Sequence, residues 1–330
     1  MGGLWGVILT PLIFSVLVAF LLNPIINYLE RQGLSKTLSI VIMYIFFLVV
    51  LILLCFNLVP TLIRELQELI KALPGYTEIF LNYFEQLESD YKRFDLPEGI
   101  RQAIDEGIEE IQKDLILFLE RLTQLLISLF SQVLALFLVP IFTFYFLRDS
   151  EKFKATLMNI LPEDYRETFR ETLNDINTTV GTYLRGLVLI SGMVGTLVYI
   201  GLLILGVEFA LFLGLLNALT NFIPYFGPVI GSIPATLIAL LQSPALAWKV
   251  VLLIILIQQV ESQLLAPQIL GRKLGFHPLS VILAVLLGGK LFGFIGLVLS
   301  VPMLAIIRVI VRHTMPLLSD YISKVRLRKI

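Results

Sequence analysis

Residues 209–248 hold forty consecutive positions without a charged side chain, yet four of them are proline and three are glycine. This combination constrains the fold more than any other feature of the chain. A stretch so apolar belongs in hydrocarbon or in a protein core, but it cannot form one straight helix. Proline removes a backbone donor and clashes with the preceding turn. In lipid the freed carbonyls must find partners inside the protein or line a wet cavity. Two half-length helices turning around "NFIPYFGP" satisfy both demands, which predicts a helical hairpin over 209–241 with its tip near Pro224–Pro228.

The rest of the chain has the same character. Hydrophobic residues make up 57% of its 330 positions and charged residues 15%, against about 45–50% and about 25% in soluble domains. Of 50 charges, 19 lie in 60–114 and 13 in 148–185, leaving 18 for the other 237 residues. Those 237 residues cannot form a soluble surface. Charge-free runs cover 1–29, 37–63, 122–147, 186–207 and 209–248, and a spanning helix needs about 20 apolar residues. The fold class is therefore all-α: a polytopic helical membrane protein with broken, re-entrant hairpins and amphipathic helical segments outside the bilayer.

Composition also excludes several functions. The net charge is zero, so no basic field exists to attract nucleic acid. The single cysteine, Cys55, rules out an intrachain disulfide framework and any multi-cysteine metal site; it reads as a packing residue. The apolar start lacks a basic leader pattern and reads as membrane structure rather than a signal peptide. No Walker A pattern, HExxH pair or G-x-S-x-G elbow is present, so the sequence suggests no ATP hydrolysis, no enzyme, no catalytic residue, no metal and no cofactor.

Spacing divides the chain. Residues 1–59 read as N-terminal membrane helices, 12–29 and 37–59, after a stub that Pro11 closes. That stub is either half of a re-entrant hairpin or a truncated span. In 60–114 the apolar positions Leu62, Leu66, Leu69 and Leu73 recur at helical spacing. This predicts an acidic, amphipathic extracytoplasmic segment broken at Pro74-Gly75 and Pro97, with its charges solvated. Residues 115–147 form one membrane helix or a tight pair. The second amphipathic segment, 148–185, is expected in the cytoplasm, followed by a core over 186–313 and a basic cytoplasmic tail over 314–330. Within that core "LGGKLFGFIGLVLSVP" repeats the interruption of the first hairpin and predicts a second over 277–307, tipped at Lys290–Gly293. Interrupted segments at corresponding positions point to a transport site. Lysine and arginine near 31–36, 272–273 and 324–329 place those loops inside, so the first hairpin would open outward and the second inward.

Glu261 is the sharpest single residue. It lies at depth in an apolar run, beside Gln258, Gln259 and Ser262. An ionisable group at the bilayer centre costs about 2.5–3.5 kcal/mol on insertion scales and marks function by default. The alternative is a polar contact between helices or protomers. The turn residues Pro224, Tyr225, Gly227 and Pro228, with Asn217 and Asn221, could present polar groups to a substrate or simply break the helix. Gly288, Gly289 and Gly293 could form the matching turn or serve close packing. Arg148 and Asp149 are gate candidates or an ordinary polar helix end. Lys290 reads as a snorkelling cation, and His277 beside Pro278 as a helix cap rather than a proton relay.

Together, "FLLNPIINYL" (20–29), "FTFYFLRD" (142–149), "NFIPYFGPVIGSIPA" (221–235), "QQVESQLLAPQILGRKLGFHPL" (258–279) and "GGKLFGFIGLVLSVP" (288–302) resemble the autoinducer-2 exporter family. These are bacterial membrane transporters often called permeases, and the resemblance runs from about residue 4 to about 313. It implies a multi-pass protein of the bacterial inner membrane that exports a small polar solute such as the quorum-sensing signal autoinducer-2. Other members exchange sodium or lithium for protons, which makes an antiporter the second expectation; a membrane scaffold is a third. The resemblance also implies a homo-oligomer, a pentamer, bathed in membrane lipid.

Overall fold

The computed structural model describes residues 4–91, 133–270 and 276–327, with isolated positions between 91 and 133. The readings made for 92–132, the Cys55 side chain and the Arg272/Lys273 pair lie outside the described residues. Every element among those described is helical. In chain order they are α1 (Leu4–Arg31), α2 (Lys36–Tyr91), α3 (Val133–Arg148), α4 (Ser150–Ile160) and α5 (Glu163–Leu205). Then follow α6 (Ala210–Thr220), α7 (Phe226–Gln242), α8 (Pro244–Val260), a π-turn (Glu261–Leu265), α9 (Ala266–Ile269) and α10 (Pro278–Leu327). Four stretches are long and apolar enough to cross a membrane: Thr10–Arg31, Glu163–Leu205, Pro244–Ile269 and Ile295–Met315. The chain is a polytopic helical membrane protein.

Prolines do not break the chain wherever the sequence suggested. Pro11 and Pro24 both lie inside α1, so the N-terminal stub continues the first helix. The 28 Cα atoms of α1 follow one rod whose Ser15 Oγ bonds the Pro11 carbonyl and, across to α3, the Val139 carbonyl. Likewise α2 runs for 56 residues through Pro60 and Pro74. The helix is therefore continuous across 59/60, and the expected break at Pro74-Gly75 is absent. One proline costs a single hydrogen bond and bends a helix; neighbouring helices compensate within a bundle. The boundary at 185/186 also falls inside a helix, since α5 carries the charged 163–185 region directly into the apolar span.

α5 is the axis of the molecule. Val198 and Leu202 of α5 join Leu69 of α2, Leu213 of α6, Ala239 of α7 and Val250 of α8 in the largest apolar core. Leu62 and Leu66 pack against it too, so the stripe of Leu62, Leu66 and Leu69 covers this core. At the other end of α5, Asn23 Nδ2 of α1 lies 3.5 Å from Asn177 Oδ1, and His313 Nε2 of α10 lies 2.9 Å from Asp175 Oδ2. The Lys36 ammonium bonds Ser150 Oγ at 2.8 Å near that same end.

Both interrupted segments are hairpins. α6 descends from the core around Val198 and Leu202, and α7 returns to it. Between them Ile223 reaches a second cluster around Val180, Tyr183, Leu184 and Leu187 of α5. α10 reverses at Gly293, which has φ 62° and ψ −141°. A Cβ on Gly288 would collide with the Gly296 carbonyl, and one on Gly296 with the Gly288 carbonyl. Residues eight apart on a straight helix are separated by about 12 Å, so this contact requires two antiparallel arms. Val281, Val285, Val301 and Ala305 of those arms share the second cluster with Ile223. The hairpins thus enter from opposite ends of α5 and overlap near its middle.

Candidate functional site

The overlap region contains Glu261. α6 is only 11 residues long and ends at Asn221, whose N–H bonds the Asn217 carbonyl at 2.9 Å. From that cap the Asn221 side-chain amide donates to Glu261 Oε1 at 3.1 Å. The Gln258 amide donates to Glu261 Oε2 at 3.0 Å. Both carboxylate oxygens are therefore held, one by the first hairpin and one by α8. Among the described residues no cation lies within ion-pair distance of Glu261. The last turn of a helix carries partial negative charge, so this carboxylate faces a like-signed helix end. A small cation between them would be stabilised by both.

Local sequence explains how Glu261 is aimed. Pro267 has no N–H to give to the Gln263 carbonyl, and its ring crowds the preceding turn. The backbone widens into a π-turn over Glu261–Leu265, with the Ala266 N–H bonding the Glu261 carbonyl five residues back. Such turns rotate the side chains that follow. The polar residues named around Glu261 do not act together. Gln258 joins Glu261, whereas Gln259, Ser262 and Gln263 are exposed, and the Gln263 amide donates to Gln259 Oε1 at 2.7 Å.

The hairpin tip is tightly built. A Cβ on Gly227 would overlap the Thr220 carbonyl, so α7 approaches α6 by direct backbone contact. Tyr225 has φ 65°, Phe226 N–H bonds the Pro224 carbonyl at 2.8 Å, and Pro228 lies in the first turn of α7. Asn217, 2% exposed, lies against Gly231, and its Nδ2 has no hydrogen-bond partner. In the adjoining cluster the buried Tyr183 hydroxyl is also unpartnered. Buried polar groups are nearly always bonded, so two orphans beside the hairpin overlap suit a polar guest. Tyr183 was not visible as a candidate, because an aromatic at helical spacing reads as core.

Other candidates lie elsewhere. Gly288 and Gly289 pack the second hairpin against Gly296 and Leu297, Gly293 turns it, and Lys290 is exposed beside the tip. His277 is exposed and its Nδ1 accepts the Leu279 N–H at 3.3 Å, the geometry of a cap on α10. Arg148 bonds its neighbour Asp149 at 3.1 Å and stacks on Phe144 and Tyr145. The Arg148 guanidinium, followed by the Lys152 ammonium, holds the Asp149 carboxyl below its ordinary range. This pair lies at the α3–α4 junction, away from Glu261.

Opposed half-helices around a carboxylate, in a polytopic helical bundle, are the construction of a membrane transporter. The sequence comparisons agree: residues 4–315 match the description "AI-2E family transporter", and the chain belongs to that family. It is 33% identical to "Putative transport protein YrrI" of Bacillus subtilis over 324 residues, covering 96% of this chain and 90% of that protein. It is 31% identical to "Putative transport protein YueF" of the same organism, covering 90% and 82%. A third relative is "Putative permease PerM" of Escherichia coli, 27% identical with 94% and 88% covered.

Proposed function

We propose that the protein is a secondary transporter of the bacterial inner membrane that exports a small polar solute such as autoinducer-2. The observation that carries this reading is Glu261, bonded to the tip of one hairpin at the level where the opposed hairpin packs. In this reading Asn217, Asn221, Gln258 and the Tyr183 hydroxyl supply hydrogen bonds to the solute, and the hairpins open the path alternately to each side. The chain acts without catalysis or a bound cofactor, and a gradient drives it. Glu261 carries the coupling proton or cation.

A second reading, exchange of sodium or lithium for protons, is favoured by one feature. Among the described residues Glu261 is held by two amides, Gln258 on its own helix and Asn221 at the negative end of α6, a place suited to a small cation. The exposed Gln259–Gln263 pair supports the homo-oligomer, since side-chain amides bond between helices in membranes; a pentamer follows the family resemblance. The basic residues Lys36 and Arg148 lie together where α2 begins and α3 ends, which supports 148–185 inside and 60–114 outside. Impermeant labelling of single cysteines should reach position 90 from outside and position 326 only after permeabilisation; the reverse pattern overturns this sidedness.

Purified protein in liposomes tests the function, with autoinducer-2, sodium and lithium each offered with and without a pH gradient. Solute flux is expected from the wild type. Glu261→Gln keeps the shape but removes the negative charge, so it should assemble normally and lose the dependence of flux on pH. Unchanged rate and pH profile in Glu261→Gln would assign Glu261 to packing.

A further inference from the structure

The first hairpin is held at both ends by glutamates from other helices. At its far end Asn221 meets Glu261. At its base, Glu65 of α2 accepts the Phe212 N–H at 2.7 Å on Oε2 and the Leu211 N–H at 3.4 Å on Oε1. These donors are the orphan amides of the first turn of α6, which nothing local satisfies. The N-cap residue is Phe209, which has φ 57° and no side-chain cap bond. Ordinary caps are Ser, Thr, Asp or Asn in extended backbone. A bulky residue with positive φ is strained, and such outliers persist where surrounding contacts over-determine them. Phe209 and Tyr225 are the two non-glycine residues with positive φ among those described; they mark the base and the tip of this hairpin.

From these contacts we infer that Glu65 is a positioning residue for the transport site. It fixes the base of α6, and through that short helix it sets where Asn221 meets Glu261. Three features support the assignment. The carboxylate sits at the positive end of the α6 dipole, where an anion is stabilised. It is half-buried beside Leu62, Leu66 and Leu69, which seat this part of α2 on the core, whereas Arg64 and Glu68 next to it are exposed. Finally, α6 is a single rod of 11 residues, so a change at its first turn moves its last. Glu65 needs no titration for this role; it needs two acceptor oxygens and a negative charge.

The inference rests on the hairpin being part of the transport path, and the test separates the two ideas. Hydrogen exchange of the full chain in nanodiscs requires no known substrate. Glu65→Ala should raise exchange several-fold in peptides covering 209–214 and also in those covering 217–225, at the opposite end of α6. Glu65→Gln, which keeps the shape and one acceptor oxygen, should give a smaller change in both places and decides the question if the alanine variant does not assemble. In liposomes that transport, both variants should lower the maximal rate several-fold with little change in half-saturation. Exchange raised only over 209–214, with unchanged tip and flux, would reduce Glu65 to a local cap and overturn the inference. Coupled exchange at base and tip without any flux from the wild type would leave the clamp standing and sink the transport reading instead.

Discussion

The two hairpins share an interruption signature but not a chemistry. The first needs the five residues Asn221–Tyr225 to turn, one of them with positive φ, and its tip carries the asparagine that bonds Glu261. The second reverses at Gly293 alone, and its arms meet through Gly288 and Gly296 with valines beyond. Lys290, the charge nearest that tip, points to the exterior. Backbone close approach is the common device; polar function belongs to one copy. The difference teaches that a Pro/Gly break identifies where a membrane helix turns back. What the turn does depends on the side chain that arrives from elsewhere.

Equivalent glycine substitutions should break this comparison most visibly. A Cβ at Gly227 would strike the Thr220 carbonyl, and one at Gly288 the Gly296 carbonyl. Overpacking of this kind costs about 1–3 kcal/mol, so Gly227→Ala and Gly288→Ala should both lower the melting temperature in detergent. Only Gly227→Ala displaces Asn221 from Glu261, and it should reduce flux more than tenfold while Gly288→Ala retains most of it. Equal losses would mean that both hairpins contribute equally to the path.

A subtler contrast lies in the turns themselves. Gly293→Ala places a side chain at φ 62°, ψ −141°, a conformation close to glycine-only territory, at a cost of about 1–3 kcal/mol. It should destabilise the protein without altering the pH dependence of flux. Tyr225→Gly should do the opposite at the first tip. It removes the strain of φ 65° and should leave thermal stability equal or slightly raised, within about 1 kcal/mol. If it also slows flux, the strain is tied to the site. A clear loss of stability on Tyr225→Gly would show that the ring, 56% exposed, makes contacts that outweigh its backbone.

Several features of this arrangement were legible in the residues alone. The membrane class followed from charge spacing, and both turns from clustered Pro and Gly in sequence too apolar to be loop. Glu261 stood out because ionisable groups are costly at depth. Glu65 was hidden, although a signal existed: it occupies the apolar stripe between Leu62 and Leu69, spaced by three and four. A carboxylate inside such a stripe is a buried group awaiting a donor, and an acidic segment with net charge −7 over 60–114 drew attention to solvation instead. Pro11 and Pro74 misled in the other direction, because a proline's lost hydrogen bond is a local penalty that helix packing can absorb.

Sequence therefore determined which segments can lie in hydrocarbon, where their helices must interrupt, and which single carboxylate required an explanation. These are local properties, set by transfer free energy and by the backbone chemistry of proline and glycine. Tertiary structure decided that α2 continues as one helix, that Gln258 rather than Gln259 or Ser262 bonds Glu261, and which partners each glutamate meets. Asn221 and Glu261 are 40 residues apart, and Glu65 and Phe212 are 147 apart. Contacts at that range depend on crossing angles and on the rotation of each helix about its axis. Those are fixed only when all the helices pack at once.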